Sequence, residues 1–436
     1  MNQACKTILL FFSLIITIQS CIEPQETFSK IPSGSWRGVL YLQDNPVVVD
    51  DKDEITYGQD VTGQLPFNFE VIYDNDTTFH IEIKNDTETI RIDDVTFGRT
   101  KSLAKDTVGI HFKVYDTYIS AFYEDDLLEG YWHVNYRENY KIKFRAKHGD
   151  NRRFILPAND ALAADFGGRW SLIFDQGTED AFDGVGVFRQ DGNHIAGTIE
   201  TETGDYRFME GSVSGNKAYL SCFDGAHAFL VESKLLEDGT YSGLFYSGNA
   251  YVAPISGKKN PDAKLKDSYS MSKPSSDKAA KFESFDSNRA PFSLDREDLR
   301  DKVKIMMLMG TWCPNCKDAT EFLRELSKKD EMKDVAITSV AFERYRDTSR
   351  VFEQISTYKS KGNIGWPVVL GGYYNKMEAS KSFGLIDTIK AYPTLLLLDK
   401  SNVVRHVYTG FYGPATDQYE GFKSDFYSKI ESLKNE

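Results

Sequence analysis

The chain has 436 residues, with 52 Lys or Arg against 65 Asp or Glu and a net charge of −13. That length is enough for two to four domains at about 100–200 residues each. Hydrophobic residues at 41% and charged residues at 27% exclude a polytopic membrane protein and a wholly disordered chain. The acidic balance excludes a nucleic-acid binder, which needs a basic face to displace counterions from phosphate.

The chain opens with an address. Lys6 precedes an apolar run from Ile8 to Ile16, too short to span a bilayer core of about 30 Å but matched to a secretory leader. It closes Ile18-Gln19-Ser20-Cys21, which resembles a bacterial lipobox, with Cys21 as the lipidated first residue of the mature protein. The alternative is an ordinary secretory signal with a chance Cys. The expectation is a leader over 1–20, a tether over 21–33 and a periplasm-facing lipoprotein of the cell envelope, in the outer rather than the inner membrane. Of five cysteines, Cys5 then leaves with the leader and Cys21 is blocked, so Cys222, Cys313 and Cys316 remain.

From Gly34 onward short runs such as Phe69-Glu70-Val71-Ile72-Tyr73 and Phe79-His80-Ile81-Glu82-Ile83 alternate apolar and polar residues between Asp, Asn and Gly. Period-2 alternation broken by turn residues predicts antiparallel strands with one wet face, and aromatics at 13% agree. The pattern restarts: Gly34-Ser35-Trp36-Arg37-Gly38 is echoed by Gly167-Gly168-Arg169-Trp170-Ser171, and Asp126 to Trp132 by Asp238 to Phe245. This predicts an all-β region duplicated as module 1 over 34–150 and module 2 over 166–257, forming two small barrels or sandwiches or one larger closed sheet. No two of the seven His stand at metal-ligand spacing, so no metal site is expected. Trp36, Trp170 and Cys222 are expected as core residues, and Asp93-Asp94 and Asp125-Asp126 as turn residues. Residues 258–281 carry seven Lys and a Ser-Lys-Pro-Ser-Ser-Asp core with almost no large apolar side chain, a composition that predicts a flexible linker.

The chemistry lies in 282–436. Val303 to Met309 reads as a buried strand, followed by Gly310-Thr311-Trp312-Cys313-Pro314-Asn315-Cys316 and a helical stretch from Lys317 to Lys328. Cys313 thus caps a helix and Pro314 takes its first position. Thiol–disulfide exchange needs a thiolate, and a helix N-terminus lowers a thiol pKa from about 8.5 into a range of about 3.5–7.5. Two intervening residues let Cys316 reach Cys313 and resolve a mixed disulfide. Zinc would need two more ligands, haem attachment a His where Lys317 stands, and a merely structural disulfide has no use for a cap or an adjacent Trp.

A second signature, Ala391-Tyr392-Pro393-Thr394 ahead of the apolar run Leu395 to Leu398, joins the first. Together they resemble the thioredoxin fold, an α/β architecture, and within it the TlpA/ResA-like branch of membrane-tethered thiol–disulfide oxidoreductases. The resemblance implies that Pro393 is cis and faces a redox-active Cys313–Cys316 disulfide, that Tyr392 offers its backbone to a substrate chain, and that Trp312 and Pro314 support the pair. It implies no cofactor. Two acidic positions of the pattern depart, being Met307 beneath the site and Ala319 on the helix. Asp318 and Glu321 on that helix are expected to be solvated, so the proton-transfer group is open.

The expected function is an extracytoplasmic thiol–disulfide oxidoreductase. Cys313 is the nucleophile and Cys316 the resolving thiol. The uncharged Pro314-Asn315 pair and the resemblance both point to reduction. Its partners would be exported proteins with disulfides or thiols and a membrane electron-transfer protein as reductant. The alternatives are a disulfide-donating oxidase, or an envelope binding protein whose β region recognises a glycan, peptide or protein served by the redox domain.

Overall fold

The computed structural model describes residues 31–43, 62–100, 105–156 and 162–436. The expected leader over 1–20 and Cys21 lie outside the described residues, as does most of the expected tether. No described helix is long and apolar enough to cross a membrane.

Module 1 is one nine-stranded antiparallel sheet made of β1 (Gly34–Tyr41), β2 (Gln64–Tyr73), β3 (Phe79–Asn85), β4 (Glu88–Ile92), β5 (Val95–Thr100), β6 (Lys105–Phe112), β7 (Thr117–Glu124), β8 (Leu127–Val134) and β9 (Lys141–His148). Its order is β4-β3-β2-β1-β9-β8-β7-β6-β5, so the first strand pairs with the last and the sheet stays open between β4 and β5. Alternation does the work locally: Leu65, Phe67, Phe69 and Val71 of β2 are buried, while Asn68, Glu70 and Ile72 between and after them are half-covered. Trp36 lies in this core, stacked on Phe69 at 5.9 Å.

Module 2 comprises β10 (Gly168–Phe174), β11 (Phe182–Asp191), β12 (His194–Thr201), β13 (Gly204–Asp205), β14 (Met209–Ser214), β15 (Lys217–Phe223), β16 (Ala228–Leu235), β17 (Tyr241–Ser247) and β18 (Tyr251–Lys259). Again the first strand pairs with the last, and here β11 also pairs with β12, closing the sheet into a barrel. The echoed sequences fall on equivalent strands. Trp36 and Trp170 sit on the first strand of each module, and both penultimate strands, β8 and β17, pair with the closing one. Trp170 and Cys222 are buried in the barrel core. The modules form one block. Arg153 lies buried between them, donating to the Lys84 carbonyl at 2.9 Å, Asn85 Oδ1 at 2.9 Å and the Ser221 carbonyl at 2.9 Å. Phe67 meets Phe223 at 4.5 Å.

The expected flexible linker over 258–281 is built into the fold instead. Lys258 and Lys259 extend β18 against Ser171 and Trp170. The segment then makes a 3-10 turn at Ser268–Ser270, bridges Pro274 to Ile386 and Ala279 to Val403, and buries Ala263, Ser268, Met271, Ser272 and Ala280. Its composition cannot order it in isolation, but neighbouring backbone supplies partners. Ser275 N–H donates to the Leu385 carbonyl at 3.0 Å and Ala280 N–H to the Asn402 carbonyl at 2.8 Å. It is a docked strap.

After a short hairpin of β19 (Glu283–Phe285) and β20 (Pro291–Ser293) comes a five-stranded sheet. Its strands are β21 (Val303–Met309), β22 (Val335–Glu343), β23 (Val368–Tyr373), β24 (Thr394–Leu398) and β25 (Val404–Thr409), in the order β23-β22-β21-β24-β25. The first three are mutually parallel, and β24 runs antiparallel to both of its neighbours. Four helices accompany it: α1 (Pro314–Ser327), α2 (Thr348–Lys361), α3 (Lys376–Phe383) and α4 (Tyr419–Asn435). This is the thioredoxin fold. Every residue of β21 is buried, as a central strand covered on both faces requires.

Candidate active site

β21 delivers the chain to Thr311-Trp312-Cys313, and Pro314 starts α1 with its fixed φ where a missing N–H costs nothing. Cys313 is the N-cap, in extended conformation, and its Sγ accepts the Cys316 amide N–H at 3.2 Å. The two cysteines form a disulfide with Cα atoms 5.2 Å apart. Cys313 retains 6% exposure while Cys316 is fully buried behind it. Of the two sulfurs, Cys313 is therefore the one that can be reached from outside.

The other expected residues converge on this pair. The Tyr392–Pro393 peptide is cis, and the Tyr392 carbonyl oxygen lies 3.5 Å from Cys313 Sγ. Trp312 donates its indole N–H to the Phe342 carbonyl at 3.0 Å and presents its ring edge-on to Tyr374 and Tyr392, each at 5.8 Å. Met307 and Ala319, where the family pattern has acids, are both core residues.

Asp318 departs from its expected solvated position. Its side chain is 14% exposed and forms an ion pair with Arg207, which also binds Glu88 and, at 3.2 Å, Asp224. Four segments, from module 1, module 2 and α1, thereby meet at one guanidinium. Burial alone would discharge Arg207, but Asp318, Glu88 and Asp224 raise its pKa well above normal. Burial likewise opposes ionisation of Asp224, yet His227 and Arg207 hold its carboxyl down to about 2. Glu321 keeps to the partly exposed face of α1, paired with Arg324 and Lys317.

Sequence reasoning passed over several groups at this site. Asn315, between the cysteines, donates to the Asp205 carbonyl of the barrel at 3.0 Å. A Cβ on Gly204 would stand 2.8 Å from Asn315 Nδ2, so this contact needs glycine, whose φ of +133° also favours it. Glu343, at the end of β22, is buried and accepts the Thr311 amide N–H at 2.9 Å and the Thr311 hydroxyl at 2.8 Å. Burial, only partly offset by those bonds, pushes its carboxyl up to about 7. The available signal was the pair Glu343-Arg344 closing an apolar strand, since sites gather at the carboxyl ends of parallel strands.

Cys313 opens into a cavity of about 670 Å³ with two unlike walls. Trp312, Arg344 and Tyr392 come from the thioredoxin fold, and Gly204, Tyr206 and Phe229 from the barrel. Among the described residues no cluster of His, Cys, Asp and Glu is arranged to hold a metal ion.

A cysteine pair on a helix N-terminus, one sulfur reaching a cleft and the other fully buried, facing a cis-proline loop on a thioredoxin sheet, defines a thiol–disulfide oxidoreductase. Residues 257–420 match the model of the Redoxin family, which adds the strap to the domain. No curated protein is a significant match to the chain. Among solved structures, a thioredoxin-family thiol:disulfide interchange protein from Chlorobium tepidum is 22% identical, over 37% of this chain and 97% of its own, with a TM-score of 0.28. A thiol-disulfide oxidoreductase from Bacteroides fragilis is 19% identical over 34% and 98%, TM-score 0.26. The exposed lipoprotein thioredoxin of Streptococcus pneumoniae is 18% identical over 35% and 100%, TM-score 0.27.

Proposed function

We propose that the protein is an extracytoplasmic, membrane-tethered reductase of disulfides that works through its Cys-Pro-Asn-Cys dithiol. The observation that carries this reading is the asymmetry of the pair, with Cys313 lining the cleft and Cys316 buried behind it. In the reduced protein the Cys313 thiolate attacks one sulfur of a substrate disulfide, forming a mixed disulfide and releasing the other sulfur as a thiolate. The Cys316 thiolate then attacks Cys313 Sγ, the Cys313–Cys316 disulfide forms, and the second substrate thiolate leaves. Two electrons pass to the substrate, and its two thiolates take up protons from water. A membrane electron-carrying dithiol protein restores the pair.

Direction rests on electrostatics. Pro314 and Asn315 bring no charge between the sulfurs, and the Asn315 amide is already engaged by Asp205. The helix terminus and the Cys316 N–H stabilise the thiolate and no charge stands between the sulfurs, so the potential belongs nearer the reducing end of a range of about −270 to −120 mV. Tethering rests on the leader-like run and Cys21, and release from membranes by Cys21→Ala is its test. Exported proteins with disulfides are the substrates, and the β region serves the dithiol by walling its cleft.

Cys316→Ser should accumulate mixed disulfides that dithiothreitol releases, while Cys313→Ser should form none and lose reduction of model disulfides. Trapping by Cys313→Ser instead would exchange the two roles. A potential near −120 mV, measured against glutathione, would make the protein a disulfide donor.

A further inference from the structure

The cleft beside Cys313 holds a cation that the fold leaves without a counter-ion. Arg344 ends the approach to the site along β22, and its guanidinium is lodged among three aromatic rings. The ring centroids lie 4.1 Å away for Trp312, 4.5 Å for Tyr374 and 4.9 Å for Tyr136. Among the described residues no carboxylate forms an ion pair with it, and its Nε is buried without a hydrogen-bond partner. The preceding residue, Glu343, bonds Thr311 through both carboxyl oxygens and acts on Arg344 only through its field, without an ion pair. Asp205 across the cleft is committed to the amide N–H groups of Gly413 at 2.7 Å and Arg207 at 2.7 Å. Arg153 and Arg207, both buried, are different in that each has carboxylate partners: Glu210 for Arg153, and Glu88, Asp224 and Asp318 for Arg207. Ring faces stabilise a guanidinium and hold its plane fixed, but they accept few of its N–H groups. What remains is a rigid donor fork in a partly desolvated cleft, where a bidentate carboxylate contact is strong.

We propose that Arg344 is the anion-binding residue of the substrate cleft, receiving a carboxylate that the disulfide substrate carries close to its reacting sulfur. This rests on the reading that Cys313 attacks a substrate disulfide in that cleft. The bond made is Cys313 Sγ to the substrate sulfur nearer the carboxylate, and the bond broken is the substrate S–S. Resolution by Cys316 sends both electrons to the substrate, and dithiothreitol re-reduces the pair in the assay. Such a carboxylate has two sources, an acidic side chain beside a cysteine in an extended peptide or the carboxylates of a small thiol.

The test uses the full-length protein in detergent with dithiothreitol as reductant. Its substrates are disulfide-linked peptide dimers carrying Glu or Gln next to Cys, glutathione disulfide and its dialkyl ester, and neutral hydroxyethyl disulfide. In at least one arm kcat/KM should favour the acidic member about tenfold or more, and raising salt should shrink the preference. The arm in which it appears identifies the source. Arg344→Gln should compress the ratio to below about threefold, and Arg344→Lys, which keeps charge but not the fork, should leave an intermediate ratio. Equal rates for acidic and neutral members in both arms of the wild type overturn the proposal, and that comparison needs no variant to fold. A preference that survives Arg344→Gln overturns it too. Failure to turn over even hydroxyethyl disulfide would overturn instead the oxidoreductase reading on which it stands.

Discussion

Glu343 gives the dithiol turn a pH dependence of its own. Its carboxyl is raised by burial to about 7, so between its unfolded value of about 4.5 and 7 the native state binds a proton that the unfolded chain has released. The stabilisation is complete below the unfolded pKa and is lost as pH rises through the folded one. At 1.36 kcal/mol per unit the loss totals about 3 kcal/mol. Glu343→Gln should flatten this slope, because Gln still accepts from Thr311 but does not ionise. Unfolding midpoints measured from pH 5 to 8 check it, and a variant whose midpoints keep the wild-type slope would place the titration elsewhere. The sequence hid this residue, since an acid closing an apolar strand looks like an exposed strand end until Thr311 is brought beside it. Asp318 was hidden in the same way, its partner Arg207 lying 111 residues away. Cys313 and Cys316 were legible because their chemistry is written in local spacing, and Pro393 only through the family resemblance.

At the scale of elements, the strands were legible and the strap was not. Alternation reports which face of a strand is wet, whatever that strand pairs with, so the runs at Phe69–Tyr73 and Phe79–Lys84 could be read directly. The strap, 258–281, buries small side chains and spends backbone hydrogen bonds on Leu385 and Asn402, and neither leaves a trace in hydrophobicity. Its seven Lys offer trypsin many sites, yet docked backbone does not enter a protease without local opening. Limited trypsinolysis should therefore cut the strap no sooner than the rest of the described chain. Rapid cleavage after Lys266 or Lys278, with both fragments remaining folded, would show that the strap detaches freely.

As a whole, the described residues from Ser33 to Glu436 form one compact unit. Asp94 pairs with Lys361 at 2.7 Å, Asp116 with Tyr345, and Arg169 with Asp417 at 2.8 Å, each across the junction between the β block and the thioredoxin fold. One cooperative unfolding transition is expected. Arg207→Met would leave Asp224 and Asp318 buried without their cation, a break that typically costs about 3–5 kcal/mol. It should lower the midpoint and split the transition in two by calorimetry. An unchanged single transition would mean that the junction is held by other contacts. The pairing of each module's first strand with its last also sets an order of events. A chain delivered N-terminus first cannot seal the barrel until β18 arrives, but β18 ends at Lys259, before Cys313 is reached. Cys222 can thus be shut inside a finished wall before any other thiol of the folded body exists to pair with it. The closing strand acts as a timer for thiol chemistry as well as a seam. Ile255→Pro, which breaks that strand, should expose Cys222 to crosslinking with Cys313 or Cys316, visible as altered mobility on non-reducing gels. Clean Cys313–Cys316 pairing in that variant would show that timing plays no part.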